Sequence, residues 1–109
     1  MFTIKQYNTV PSLEATLLNP AGQPVNLTGS TITFVMRSRD NDTLVITGNA
    51  LILDAVAGKV VYQWDAADLD VHGAYFGEFD VTYSNGSKES FPNADYIPIN
   101  VVRSAGTAP

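Results

Sequence analysis

Leu27-Thr28-Gly29-Ser30-Thr31-Ile32-Thr33-Phe34-Val35-Met36-Arg37 is the stretch on which the fold turns. A polar turn around Gly29 feeds into a run with Ile32, Phe34 and Met36 on one side. Thr31, Thr33 and Arg37 fall on the other, with Val35 as the single apolar intruder. Successive side chains point to opposite faces of a strand, so this alternation requires a core on one side and solvent or a partner on the other.

The same grammar extends outward in both directions. Upstream, Ser12 to Leu18 reads as a strand with Leu13, Ala15 and Leu17 inward. It ends in the turn Asn19-Pro20-Ala21-Gly22, where Pro20 presets a backbone angle and Gly22 tolerates positive φ. Downstream, polar Ser38 to Thr43 leads to Leu44–Thr47, and Gly48-Asn49 predicts a tight hairpin turn into Ala50–Asp54. Val60, Tyr62 and Trp64 form the inward set of the next strand. Asp65-Ala66-Ala67-Asp68-Leu69 predicts one short helical turn, capped by Asp65, with Asp68 three residues on as in a capping box. Gly73 then releases the longest strand, Ala74 to Ser84. Asn85-Gly86 predicts a type I′ hairpin. Lys88–Phe91 returns, and Tyr96–Arg103 finishes with Ile97, Ile99 and Val101 inward and a free edge at Pro98, which has no N–H to donate. The expected fold is all-β: an antiparallel β-sandwich of about seven strands with one short helical turn. It occupies residues 1–103 as a single domain, and 104–109 form a disordered or partner-bound tail.

Composition narrows the function. With 109 residues the chain can bury a self-sufficient core, and the absence of cysteine removes disulfides, thiolate metal sites and cysteine nucleophiles together. A net charge of −5, with six scattered basic residues, argues against nucleic acid, whose phosphates need clustered Lys and Arg. No apolar run approaches the ~20 residues of a membrane-spanning helix. The start Met1-Phe2-Thr3-Ile4-Lys5-Gln6 lacks the basic and apolar regions of a signal peptide. The expectation is a soluble protein made in the cytoplasm of its producing cell.

Residues able to do chemistry are present but isolated. His72 has no second histidine near it, so neither base catalysis nor metal binding has a partner group. Asp40-Asn41-Asp42 has the opening spacing of a calcium loop without its glycine and closing glutamate. Asp65, Asp68 and Asp70 form a second acidic cluster largely explained by capping. Glu78 and Asp80 share one strand face at ~6.5–7 Å, a separation compatible with an inverting glycosidase pair, but a charged solvated face explains them as well. Asn26-Leu27-Thr28, Asn41-Asp42-Thr43 and Asn85-Gly86-Ser87 are formal glycosylation sequons that read as turn chemistry. Tyr62, Trp64, Tyr75, Phe79 and Tyr83 fall on inward faces. Phe76 falls outward, where it either sits under a loop or marks a contact site. No catalytic residue, cofactor or metal site is assigned.

Taken in order, these segments resemble the immunoglobulin-like N-terminal domain of phage baseplate upper proteins and related small virion proteins. The resemblance rests on Ile4-Lys5-Gln6, Gly22-Gln23-Pro24-Val25-Asn26-Leu27-Thr28-Gly29, Gly73-Ala74-Tyr75, Glu78-Phe79-Asp80-Val81-Thr82-Tyr83 and Phe91-Pro92-Asn93. It runs from about Phe2 to Val102. Gly73-Ala74-Tyr75 is similar to the corner of immunoglobulin-like folds, where a tyrosine hydroxyl returns to upstream backbone. Gly77 stands where antibody domains carry their second cysteine. The resemblance implies a non-enzymatic virion subunit of the tail, baseplate or fibre attachment. It would be made in the host bacterial cytoplasm and would dock onto other virion proteins and onto copies of itself through edge strands and loops. A capsid-decorating or neck subunit is the alternative within that class, and a carbohydrate-binding or adhesion module is the alternative outside it. Two weakly guarded segments, Phe2-Thr3-Ile4 and Tyr96–Val102, point to Phe2, Ile4, Ile97 and Ile99 as partner-binding residues alongside Phe76. On that reading, removal of Met1 to Gln6 spares folding and impairs assembly.

Overall fold

A computed structural model describes residues 1–93 and 95–106, and these are all-β. Its strands are β1 (Phe2–Lys5), β2 (Leu13–Thr16), β3 (Thr31–Ser38), β4 (Leu44–Asp54), β5 (Lys59–Tyr62), β6 (Gly73–Thr82), β7 (Lys88–Phe91) and β8 (Ile97–Val102). Hydrogen bonding runs β1-β8-β6-β3-β4-β5-β2, with β7 beside β6. The first part of β4 pairs with β3, and Leu51, Ile52 and Asp54 pair with β5. The sheet therefore turns over along β4 and its halves face each other as a sandwich, with β1 and β2 left as unjoined ends.

The decisive stretch behaves as its alternation requires. In β3, Ile32, Phe34 and Met36 are buried while Thr33, Val35 and Arg37 are only half-buried. Phe34 is the centre of the core: its ring stacks on Tyr62 at 4.6 Å, meets Trp64 edge-on at 5.8 Å and lies 5.2 Å from Phe79. Such ring pairs add roughly 0.5–1.5 kcal/mol beyond the area they bury. Glycines on both neighbouring strands make room for them. A Cβ on Gly77 would meet the Phe34 ring at 2.8 Å, and one on Gly48 would meet the Tyr62 ring at 2.9 Å.

Four expectations are corrected here. First, Gly48-Asn49 is no turn: β4 runs unbroken for eleven residues, and Gly48 stands opposite Phe34, vacant because Tyr62 needs the space. Second, Phe2–Lys5 forms a strand, pairing in parallel with β8 from Phe2↔Ile99 to Lys5↔Val102. Since β6 holds the other side of β8, that strand has no free edge along this register. Pro98 precedes the first of the β1 pairs, so its missing N–H interrupts none of them. Third, Asp65–Leu69 is a single turn closed by the Asp68 amide on the Asp65 carbonyl at 3.0 Å, not a helix. Fourth, the β6–β7 hairpin is a three-residue loop, Ser84-Asn85-Gly86, with positive φ at Gly86 and not at Asn85. It is closed by the Gly86 amide on the Tyr83 carbonyl and the Tyr83 amide on the Ser87 carbonyl, an arrangement that needs one left-handed residue instead of two.

The tyrosine corner is present: the Tyr75 hydroxyl donates to the Val71 carbonyl. At the other end of the chain the Ser104 amide donates to Gln6 Oε1 at 3.0 Å, which ties the start of the expected tail to the β1 end. Residues 107–109 of that tail lie outside the described residues.

Candidate functional site

The five residues expected to meet a partner do not form one surface. Ile4 and Ile99 are both buried in the core, 3% and 2% exposed. This removes both from any docking face: β1 and β8 satisfy each other's backbone and turn these side chains inward. Phe2 is half-buried with its ring 5.9 Å from Trp64, and Ile97 is half-buried against the same core. Phe76 alone of the five lies on the outer face of the sheet, half-buried, with the Tyr96 ring packed against it at 4.4 Å and tilted by 41°. Tyr96 is 53% exposed. Alternation with inward Ile97 already pointed Tyr96 outward in the sequence, but its pairing with Phe76 on a neighbouring strand could not be read there.

Around this aromatic pair the outer sheet face is polar. Register places Arg37 opposite Phe76, Val35 opposite Glu78 and Thr33 opposite Asp80. A hollow of about 230 Å³ lies between Val35, Arg37, Asp42, Phe76, Glu78 and Tyr96. Partial burial, followed by the charge of Asp80, raises the Glu78 carboxyl above the usual carboxylate range, and the Arg37 guanidinium opposes that rise. Asp80 accepts the Ser90 hydroxyl at 2.8 Å from the neighbouring strand. Arg37 Nη1 donates to the Asp42 carbonyl at 3.0 Å. The arrangement suits contact with a polar surface bearing an apolar ridge, and of the two carboxylates Asp80 is already engaged by Ser90.

The other sequence-nominated clusters are structural. Asp68 Oδ2 accepts the Tyr62 hydroxyl at 2.7 Å and the Asp65 amide at 2.8 Å, which provides the backward arm of the capping box without its helix. Burial and these carboxylates raise the Tyr62 hydroxyl. In the β3–β4 loop the Asn41 side chain accepts the Thr43 amide at 3.1 Å, and Asp42 takes positive φ. His72 is exposed beside Gln6, Tyr7 and Arg103. Among the described residues, no three His, Cys, Asp or Glu side chains converge on a point where an ion could sit. Nor is any helix among them long and apolar enough to cross a membrane.

Comparison with known proteins places this geometry. The crystal structure of CopC from Methylosinus trichosporium OB3b superposes with a TM-score of 0.55 at 14% identity, covering 98% of this chain and 88% of that one. At that identity the likeness concerns the fold alone. A sequence comparison with curated proteins found no significant match. The model of the BppU N-terminal domain family matches residues 3–96, which takes in every strand from β2 to β7, most of β1, the tyrosine corner and the Phe91-Pro92-Asn93 segment. The chain therefore belongs to the family of the phage baseplate upper protein N-terminal domain, a structural domain of the virion.

Proposed function

We propose that this chain is a non-enzymatic subunit of the phage tail, baseplate or fibre attachment, docking onto other virion proteins through its edges and loops. Membership of the baseplate family carries the proposal. The structure supports it by leaving β1 and β2 as unjoined ends of the sheet path and the Phe76–Tyr96 pair on an outer face. Of the residues nominated from sequence, Phe76 stays in the docking set. Phe2 and Ile97 contribute through their exposed portions, and Tyr96 joins them. Assembly with copies of the same chain inside the particle, synthesis in the host cytoplasm and independence from nucleic acid and membrane belong to the same proposal.

One observation favours a second reading. An aromatic pair beside Arg37 and Glu78 offers a seat for a sugar ring, as in a carbohydrate-binding module. Against it, Tyr62, Trp64, Tyr75 and Phe79 are all buried, so no exposed row of rings exists among the described residues. Purified particles separate the two readings. Mass spectrometry should find the chain in the particle at a fixed ratio to the baseplate proteins. Its absence from particles, together with sugar binding lost in Tyr96→Ala, would favour the module instead.

A further inference from the structure

The sandwich fails to close along one seam, and that seam is an apolar groove. The groove holds about 610 Å³ between the far edge of β2, with Ala15, Leu17 and Leu18, and the end of β7 and start of β8, with Phe91, Pro92 and Ile97. Among the described residues no strand pairs with the far edge of β2. The direction of its backbone groups follows from register. The Leu17 amide donates to the Gly58 carbonyl at 2.8 Å, in line with the pairs Leu13↔Tyr62 and Ala15↔Val60. In an antiparallel ladder hydrogen-bonded pairs alternate, so those residues face β5 while the N–H and C=O groups of Glu14 and Thr16 point away from it, on the edge where Thr16 lines the groove.

We infer that this groove receives an extended segment of a different virion protein, which adds to β2 as a strand through Glu14 and Thr16 and seats an apolar side chain against Phe91 and Ile97. This rests on the docking function proposed above. Outward backbone groups beside an apolar trough fit strand addition, in which main-chain hydrogen bonds supply affinity and alternate side chains supply specificity. Charge identifies the occupant further. Among the described residues Asp95 is the one charged side chain lining the trough, and no Lys or Arg is among the lining residues. A segment with Lys or Arg beside its apolar residue matches that rim. A second copy does not match it, because it brings a further −5 of charge.

Thr16→Pro tests the inference directly. Its N–H points away from β5, and edge strands accept proline at such positions, so the variant should fold with an unchanged melting curve. It should enter particles about tenfold less well, as expected for loss of an edge hydrogen bond and a blocked approach. Amide hydrogen exchange on wild-type chain, free and in purified particles, supplies the second measurement. The Glu14 and Thr16 amides should exchange fast in the free chain and become protected in the particle, with cross-links from a photoreactive residue placed at Leu18 reaching another protein. Particles that contain the chain with both amides still fast overturn strand addition at β2 while leaving the virion role intact. Cross-links only to a second copy overturn the choice of occupant. Particles without the chain overturn the virion role and this inference with it.

Discussion

Three asparagines show how a residue type determines local structure whatever its wider motif suggests. In each Asn-x-Ser/Thr triplet the asparagine Oδ1 accepts the amide two residues on: Asn26 from Thr28 at 3.0 Å, Asn41 from Thr43 at 3.1 Å and Asn85 from Ser87 at 2.9 Å. These are side-chain mimics of a backbone turn, which is why the triplets recur at loops. Asn26 also accepts the Thr28 hydroxyl at 2.7 Å, so Asn26→Ala should cost about 1 kcal/mol by chemical denaturation. In the core, Trp64 is 4% exposed, and Trp64→Ala should cost about 3–5 kcal/mol. Gly77→Ala should cost about 1–3 kcal/mol although it adds one methyl group, because that carbon would press on the Phe34 ring at 2.8 Å and on Ile99 at 3.1 Å. Glu78 supplies a pH test. Its carboxyl is raised in the fold by burial and Asp80, so the unfolded chain releases the proton first as pH rises. Stability is therefore greatest below the ordinary glutamate range and falls as pH rises through the raised value. Glu78→Gln should raise the melting temperature at pH 7, by an amount worth less than about 1 kcal/mol, and leave it unchanged at pH 3.

Among the elements, β1 changed most between sequence and structure. Four residues with one fully buried side chain carry too little periodicity to declare a strand, and its partner β8 lies at the far end of the chain. Removal of Met1 to Gln6 now predicts a destabilised domain, because it strips the Ile4 side chain and the parallel ladder from β8 together. Ile4→Ala alone should cost about 2–5 kcal/mol, and a truncated chain that melts with the wild type would show β1 to be dispensable. The corner is the contrasting case. Gly73-Ala74-Tyr75 announced it in sequence, and Tyr75→Phe, which removes only the hydroxyl that reaches Val71, should lower stability by about 0.5–1.5 kcal/mol. The hairpin after β6 was legible as a turn from Asn85-Gly86, but its loop length was set by how the flanking Tyr83 and Ser87 pair.

At the scale of the whole molecule, Asp54, Asp68, Asp80 and Glu89 each accept a hydrogen bond from a neighbouring group, and among the described residues no three His, Cys, Asp or Glu side chains converge on an ion site. Thermal unfolding should therefore hardly move with millimolar calcium or with chelator; a rise of several degrees would promote Asp40, Asp42 or the cluster of Asp65, Asp68 and Asp70 to ligands. What the sequence by itself determined was the inside and outside of each strand, since alternation is a local property. Ile32, Phe34 and Met36, then Tyr75, Phe79 and Val81, are buried where period two places them. The order of motifs likewise carried the family, which the match over residues 3–96 establishes. Only the tertiary structure decided which strands are neighbours and therefore which edges are open. Gly48 looks like a turn until Tyr62 arrives from a different strand, and Phe2–Lys5 looks like a free end until Ile4 meets Val101 across the chain. The groove beside β2 joins residues 15–20 to residues 91–97 in the same way. Pairing partners depend on which hydrophobic faces can close over one another in space, and no local pattern in the chain encodes that choice.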